Sequence, residues 1–152
     1  MQRLGPQLLL SATDLVDFHE CGHLTALDDQ ALKARVTKPD QHTELLFKRG
    51  NEFEAVYLAD LKHEVEGTGG TVVEIEKTPG NPAGSAAQTL LALQSGADLI
   101  YQATFLDGDL VGHADFLRKV PRPSALGDYS YEVIDTKLGR TPKAGYVLQL
   151  AF

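Results

Sequence analysis

Three closely spaced strand-like runs in the C-terminal half constrain the fold of this chain most strongly. They cover residues 100–106, 110–120 and 131–138, and each is rich in β-branched, aromatic and other apolar residues. An Asp-Gly-Asp tripeptide at 107–109 separates the first two runs, which predicts a short hairpin turn between them. The centre of the predicted domain is therefore a β-sheet that contains this hairpin.

Helical segments surround the strand-like runs. Ser11 precedes a segment with Asp14 in its first turn, a pattern typical of a capped helix. Residues 21–40 have mixed character. The combination of helices and strands along the chain predicts a mixed α/β domain. The predicted helices span about 12–20, 43–63 (ended by the glycines within 67–70), 85–94 and 142–152 (with Pro142 near its start), and a further strand spans 71–77.

The composition favours one globular domain over disordered and fibrous classes, since 43% of the 152 residues are hydrophobic. No apolar run approaches the roughly 20 residues that span a bilayer, and the N-terminus lacks a signal-peptide pattern. We therefore expect a cytoplasmic protein with no membrane partner. The single cysteine, Cys21, excludes an intramolecular disulfide and, by itself, a multi-cysteine metal site.

The charge of the chain is unevenly distributed. The net charge is −7, yet residues 117–152 hold 6 lysines and arginines against 3 acidic residues. These basic side chains are either solvated or line a surface that faces phosphates. The candidates for binding nucleic acid are Arg118, Lys119, Arg140 and Lys143.

An acidic and a basic residue lie two positions apart in the last apolar run. Alternation along a strand places Asp135 and Lys137 on one face, where they either pair or serve a site. Asp115 lies in the preceding run on the face of His113 and Leu117, and it approaches Asp135 if the strands are adjacent and antiparallel. Two such carboxylates repel each other unless they share a proton or a divalent cation. Hard oxygen ligands favour Mg²⁺ or Mn²⁺ over zinc, so His113 is more readily a structural histidine than a ligand.

The long predicted helix offers a third acid. At about 100° per residue, Glu54 falls on the apolar side with Phe53 and Tyr57, whereas Glu52 faces water. A carboxylate on the side that faces the core needs a partner. A metal ion shared with the two aspartates would provide one.

The acidic residues and the lysine described above belong to a set of motifs that follow one another along the chain. Through this ordered set, the chain resembles the RecB-like nucleases of the PD-(D/E)XK superfamily. The resemblance extends in order across nearly the whole chain. The motifs are Ser11-Ala12-Thr13-Asp14-Leu15 with Cys21, Gly50 followed by Phe53-Glu54, Gly112-His113-Ala114-Asp115-Phe116-Leu117, Glu132-Val133-Ile134-Asp135-Thr136-Lys137 and Gln149-Leu150-Ala151-Phe152.

The resemblance implies a restriction-endonuclease-like PD-(D/E)XK core over residues 1–152, with a mixed central β-sheet flanked by helices. It also implies a nuclease dependent on Mg²⁺ or Mn²⁺ that hydrolyses phosphodiester bonds of DNA in repair, recombination or processing, as an exonuclease or an endonuclease. The implied partners are DNA, with single-stranded DNA among the alternatives, and a fused or associated helicase. The implied metal ligands are Glu54, Asp115, Asp135 and the carbonyl of Thr136, and the implied catalytic residues are Asp115, Asp135, Lys137 (orienting or activating the attacking water) and Gln149.

Two departures from the family pattern bear on these expectations. Phe53 stands where many members have a histidine, so Glu54 alone represents the first metal-binding motif. Cys21 is placed like the first cysteine of relatives that hold an iron–sulfur cluster, which here would require three cysteines from a C-terminal continuation.

The chain ends in apolar, helical residues without a signal that closes the helix, so we expect a nuclease domain truncated at its C-terminus. The alternative to a nuclease is a non-catalytic nucleic-acid-binding or interaction module that retains the fold. An unrelated α/β-hydrolase-type enzyme is disfavoured, because the sequence has neither a Gly-x-Ser-x-Gly motif nor a phosphate-binding glycine-rich loop.

Overall fold

The computed structural model describes residues 1–31, 40–139, 141 and 143–152. No helix in this part of the chain is both long and apolar enough to cross a membrane. The elements, in chain order, are β1 (Gln2–Leu4), β2 (Gln7–Ser11), α1 (Ala12–Glu20), α2 (Gly22–Ala31), α3 (Gln41–Gly67), β3 (Val72–Glu74), α4 (Pro82–Ser95), β4 (Leu99–Asp107), β5 (Leu110–Val120), β6 (Ser130–Ile134) and α5 (Ala144–Ala151).

The strands form one mixed sheet in the order β1-β2-β5-β4-β3, with β6 also paired to β5. The predicted hairpin is confirmed as β4 and β5, which pair antiparallel around a two-residue turn at 108–109. On the other edge of β5, the parallel strand β2 pairs with Leu110 and Val111, and the antiparallel strand β6 pairs from Phe116 to Val120. Residues 112–115 of β5 therefore lie beside a gap between β2 and β6. Both strands run toward this gap, and both end there.

Helices cover both faces of this sheet, as the sequence predicts. Ala92 of α4 packs with Ile100 and Leu117, whereas Leu61 of α3 packs with Phe116. Because Phe116 and Leu117 are neighbours that point to opposite faces of β5, α3 and α4 lie on opposite sides of the sheet. Each of the buried leucine, isoleucine and phenylalanine side chains contributes about 1.5–3 kcal/mol through the apolar surface it removes from water.

The regular alternation of faces is interrupted in the middle of the hairpin. Ile100 and Ala103 lie in the same core cluster although they are three residues apart, and the same holds for Ala114 and Leu117. Residues three apart on a regular strand point to opposite faces. Strict alternation over 111–117, which would group Asp115 with Leu117 by parity, is therefore wrong.

The interruption has a backbone cause at Gln102. Its φ of 59° lies in the left-handed region, which costs an L-residue roughly 1–2 kcal/mol. The register passes from Tyr101 opposite Phe116 to Ala103 opposite Ala114, so the ladder omits Gln102 and the residue across from it, Asp115.

The last strand is shorter than predicted. β6 ends at Ile134, so Asp135, Thr136 and Lys137 follow the strand instead of belonging to it. The cause is a tertiary contact, because the Thr136 amide donates to the Asp115 carboxylate and not to a ladder carbonyl. The predicted antiparallel pairing of the last two strands is nevertheless confirmed.

Three elements are absent from the sequence prediction. β1 and β2 are only three and five residues long, and β2 presents an unbroken apolar run with no alternation. α2 occupies the segment of mixed character. The long helix spans 41–67, and it begins earlier than predicted because the Asp40 side chain accepts a hydrogen bond from the Thr43 amide at 2.8 Å. Pro142, the predicted start of the last helix, lies outside the described residues.

Candidate active site

The candidate site lies at the gap between β2 and β6. The β5–β6 ladder ends with Phe116 opposite Ile134, so one further step brings Asp115 opposite Asp135. The Asp115 Oδ2 accepts from the Thr136 amide at 3.0 Å and from the Thr136 hydroxyl at 3.2 Å. The backbone just past β6 is therefore fastened to the carboxylate of Asp115.

Asp135 and Lys137 form a close ion pair beside Asp115. The Lys137 Nζ lies 2.8 Å from Asp135 Oδ2 and donates to Oδ1 at 3.1 Å. It also lies 5.7 Å from the centre of the Tyr146 ring on α5. Burial raises the pKa of Asp135; Lys137 opposes this rise, and the nearby Asp115 carboxylate adds to it. One lysine thus balances two carboxylates incompletely.

The third predicted acid is held by a different set of partners. Glu54 of α3 is half-buried, and its Oε1 accepts a hydrogen bond from the Gln102 side chain. Burial raises the pKa of Tyr101, and a hydrogen bond to Glu54 and the charge of Asp115 raise it further. Glu54 and Asp115 therefore both act on Tyr101. The predicted contrast on α3 is confirmed, since Glu52 is exposed, although Phe53 is also largely exposed.

A cavity of about 190 Å³ opens onto the ion pair. Its lining includes Asp135, Lys137 and Ala12, the first residue of α1. Gln149 of α5 also lines it, and the Oε1 of this side chain is buried without a hydrogen-bond partner. A buried amide oxygen without a partner costs about 1–3 kcal/mol, so it marks a place where a water or a cation would be stabilised.

These donors fit a hard divalent cation. Carboxylate oxygens of Asp115 and Asp135, a main-chain carbonyl and an unpaired amide oxygen are the ligand types that Mg²⁺ and Mn²⁺ prefer. The two carboxylates outweigh the single ammonium group of Lys137, and this excess of negative charge also favours binding of a cation. Within the described residues, however, no three histidine, cysteine or acidic side chains lie close enough to enclose a metal together. The structure thus brings Asp115 and Asp135 together but does not bring Glu54 into one cluster with them.

Two of the predicted nucleic-acid-binding residues, Arg118 and Lys119, are paired with other parts of the protein. Arg118 donates to Glu64, and Lys119 donates to the Gly96 carbonyl at 2.8 Å and lies 3.4 Å from Asp98. Both basic side chains therefore already have acidic partners. Lys143 is exposed and immediately precedes α5, whereas Arg140 lies outside the described residues.

Two further sequence-based candidates have simple environments. His113 Nδ1 lies 3.2 Å from the Thr104 hydroxyl, and burial lowers the pKa of the imidazole. This contact agrees with a structural histidine. Cys21 is an exposed free thiol, and its part in an iron–sulfur cluster stays a prediction.

The sequence prediction does not include Tyr101, Gln102 and Tyr146. Tyr101 and Gln102 contact Glu54, and Tyr146 lies beside Lys137. The available signal was a single amide side chain inside an otherwise apolar strand, since Gln102 interrupts the run over 99–106.

Comparison with protein-family models, curated proteins and solved structures finds no match to the chain.

Proposed function

We propose that this protein is a metal-dependent nuclease with a PD-(D/E)XK core that hydrolyses phosphodiester bonds of DNA. The observation that carries the proposal is the meeting of Asp115, Asp135 and Lys137 at the gap where two strands end. Structural ion pairs need one acid for one base, and here a second carboxylate is held beside the pair by Thr136. That arrangement is costly unless the two carboxylates share a proton or a cation is bound, and such arrangements concentrate at functional sites.

The residues have separable roles in the proposed reaction. Asp115, Asp135 and the Thr136 carbonyl would hold Mg²⁺, which when bound lowers the pKa of a water and neutralises charge on the phosphate. Lys137 holds its ammonium group against Asp135 and donates hydrogen bonds to the attacking water or to a phosphate oxygen. The attacking water loses a proton to solvent as its oxygen bonds to phosphorus, the bond from phosphorus to the leaving oxygen breaks, and that oxygen takes up a proton from solvent.

The charge balance makes a further demand on the reaction. Without a cation, the two carboxylates outweigh Lys137 and repel a phosphodiester. Binding of a divalent ion reverses the sign of the local charge, so metal and substrate bind cooperatively. The proposal therefore requires that cleavage depend completely on a divalent cation.

The test combines metal binding with cleavage on the same samples. We expect Mn²⁺ binding by calorimetry and Mg²⁺-dependent cleavage of labelled single-stranded and double-stranded DNA, with RNA of the same sequence as a further substrate. Asp115→Asn and Asp135→Asn should abolish both signals, whereas Asp60→Asn, an exposed acid on α3, should leave both unchanged. Cleavage that survives in the Asp115→Asn and Asp135→Asn double variant contradicts the proposal.

A non-catalytic module is the second candidate, and one observation favours it. In the described part of the chain, Glu54 is bound by Gln102 and is not clustered with the two aspartates. If Mn²⁺ binds and no nucleic acid is cut, while single-stranded DNA is still bound, the chain is a nucleic-acid-binding module that retains the fold.

A further inference from the structure

An apolar cavity lies next to the cavity of the Asp135–Lys137 ion pair. Its volume is about 210 Å³. The walls include large apolar side chains that remain partly exposed, namely Phe105, Leu110, Val133, Leu150 and Phe152. Single apolar side chains on a surface are ordinary, whereas a group of them around a concave space marks a binding site. The proposed reaction uses the ion pair and leaves this apolar space without a role.

The two cavities lie side by side on the open edge of β5. His113, Ala114 and Gln149 line both of them. Pairing with β2 ends at Val111 and pairing with β6 begins at Phe116, so the edge between them has no ladder partner within the described residues. Backbone N–H and C=O groups on such an edge are available to a ligand. A ligand that extends across both cavities therefore meets apolar walls, a polar strand edge and the ion pair.

The amide of Gln149 lies where the two cavities meet. Its Oε1 is buried and has no hydrogen-bond partner in the described part of the chain. Because an unpaired buried oxygen is unfavourable, a ligand that donates a hydrogen bond to it gains affinity. The amide also carries two donors, so it can pair with the edge of a nucleobase, which holds donors and acceptors. Apolar walls with one polar contact are what a planar heterocycle requires.

The charges of the two cavities orient a nucleotide that occupies both. Lys137 lines the cavity of the ion pair and not the apolar cavity, whereas Asp107 lines the apolar cavity and not the other. A phosphate is attracted by Lys137 and repelled by Asp107, so the base points into the apolar cavity. The volume of about 210 Å³ is smaller than the roughly 300–1,000 Å³ of sites that enclose a drug-sized ligand. The apolar cavity therefore accepts one ring system and not a whole nucleotide.

We propose that the apolar cavity on the open edge of β5 binds one unpaired nucleobase of the substrate, next to the phosphate that is cleaved. The inference rests on the proposed nuclease function. Bases within a duplex are stacked and paired, so only a base in a single strand, or one turned out of the helix, enters such a cavity. The rings of Phe105 and Phe152 line the cavity, and packing of a base on an aromatic ring tolerates every base.

The experiment compares a nucleotide with the same sugar phosphate that lacks the base. dAMP and deoxyribose 5-phosphate are titrated into isotope-labelled protein with Mg²⁺ present, and the backbone amide signals are followed by NMR. We expect dAMP to bind about 10-fold more tightly, because only dAMP places a base against the aromatic walls. dAMP should shift the signals of Gly112 and Ala114, whereas deoxyribose 5-phosphate should leave the signal of Gly112 unchanged.

Two variants alter the cavity by independent means. Gly112→Val fills it from the strand, since a Cβ at Gly112 meets Phe105 Cβ at an ordinary 3.7 Å, and Phe105→Ala removes one wall. Each should weaken dAMP binding by about 10-fold and leave the affinity for deoxyribose 5-phosphate unchanged. Each should also raise KM for single-stranded DNA by about 10-fold at unchanged kcat. Phe47→Ala, at an exposed position of α3, is the control and should change none of these values.

The outcomes separate this inference from the proposed function. If DNA is cleaved but the two probes bind equally, or neither binds, the base site is overturned and the nuclease proposal stands. Unchanged dAMP affinity and KM in both cavity variants overturn the base site as well. If dAMP binds at Gly112 and no nucleic acid is cut with Mg²⁺ or Mn²⁺, the nuclease proposal fails and the base site remains. Absence of both dAMP binding and cleavage overturns both.

Discussion

Asp115 and Asp135 face each other one step beyond the last paired residues of β5 and β6. The Thr136 amide and hydroxyl, at 3.0 and 3.2 Å from Asp115 Oδ2, fix this arrangement. Backbone pairing therefore holds two like charges together, and Lys137 compensates only one of them. If the proposed function is correct, binding of a cation relieves this repulsion and stabilises the site.

The first prediction concerns the stability cost of this pair. Burial, with Asp115 contributing, raises the pKa of Asp135 above its ordinary 3.8, so the folded state binds the proton more tightly than the unfolded state does. The resulting loss of stability develops as pH rises from 3.8 through the raised folded pKa. At pH 7 without metal, Asp135→Asn should raise Tm by about 2–4 °C, which corresponds to about 1 kcal/mol in a chain of this size.

The matched control for this measurement is Asp60→Asn, an exposed acid whose removal should change stability by less than about 0.5 kcal/mol. In the same experiment, saturating Mn²⁺ should raise the Tm of the wild type and leave that of Asp135→Asn unchanged. A lower Tm for metal-free Asp135→Asn would show that the ion pair with Lys137 outweighs the repulsion.

The second prediction separates the lysine from the metal ligands. Lys137→Met keeps the aliphatic stem and removes the charge, so cleavage should fall by about 100-fold or more. Mn²⁺ affinity should stay equal or rise, because a cation that repels the metal has been removed. Lys62→Met is the control, since Lys62 pairs with Glu74 away from the site. Loss of Mn²⁺ binding with normal turnover in Lys137→Met contradicts the assigned role.

The elements around the site could be predicted from local patterns. The predicted and observed residue ranges of β5 are the same, because a hairpin turn and a long apolar run define both of its ends. The approach of Asp115 to Asp135 is expected on the condition that two neighbouring strands pair antiparallel, and the register that brings them opposite each other is seen only in the structure. The range of β5 and this conditional expectation depend on short-range spacing, which a single sequence records.

The surroundings of Glu54 could not be predicted in the same way. Helical periodicity places Glu54 on the inner side of α3 but does not identify its partner. That partner, Gln102, reaches it because one backbone angle departs from the strand region, and such a departure depends on the packing of two strands and a helix. The early end of β6 is likewise decided by a tertiary hydrogen bond from Thr136 to Asp115.

The third prediction uses the buried amide oxygen of Gln149. Gln149→Leu replaces an unsatisfied polar group with an apolar one of similar size, so the free energy of unfolding should rise by about 1 kcal/mol in urea denaturation. Cleavage should fall because the cavity beside Lys137 loses an oxygen that can accept a hydrogen bond from a water there. Gln94→Leu, at an exposed position of α4, is the control and should change neither property. A Gln149→Leu variant that is less stable would mean that this oxygen has a partner in solution.

The last prediction concerns acid stability at a place remote from the ion pair. A hydrogen bond from the Thr71 amide, at 2.9 Å, is the main cause that holds the pKa of Asp98 below its ordinary value of 3.8, and Lys119 adds to the effect. Because the folded pKa is depressed, the stability from this carboxylate is present above 3.8 and is lost as pH falls through the folded value. Asp98→Asn should therefore destabilise the protein at pH 7 by about 0.5–1 kcal/mol, at the low end because the side chain is partly exposed. The difference from wild type in urea unfolding should shrink at pH 2.5, and a difference that is equal at both pH values would show that the charge of Asp98 does not stabilise the fold.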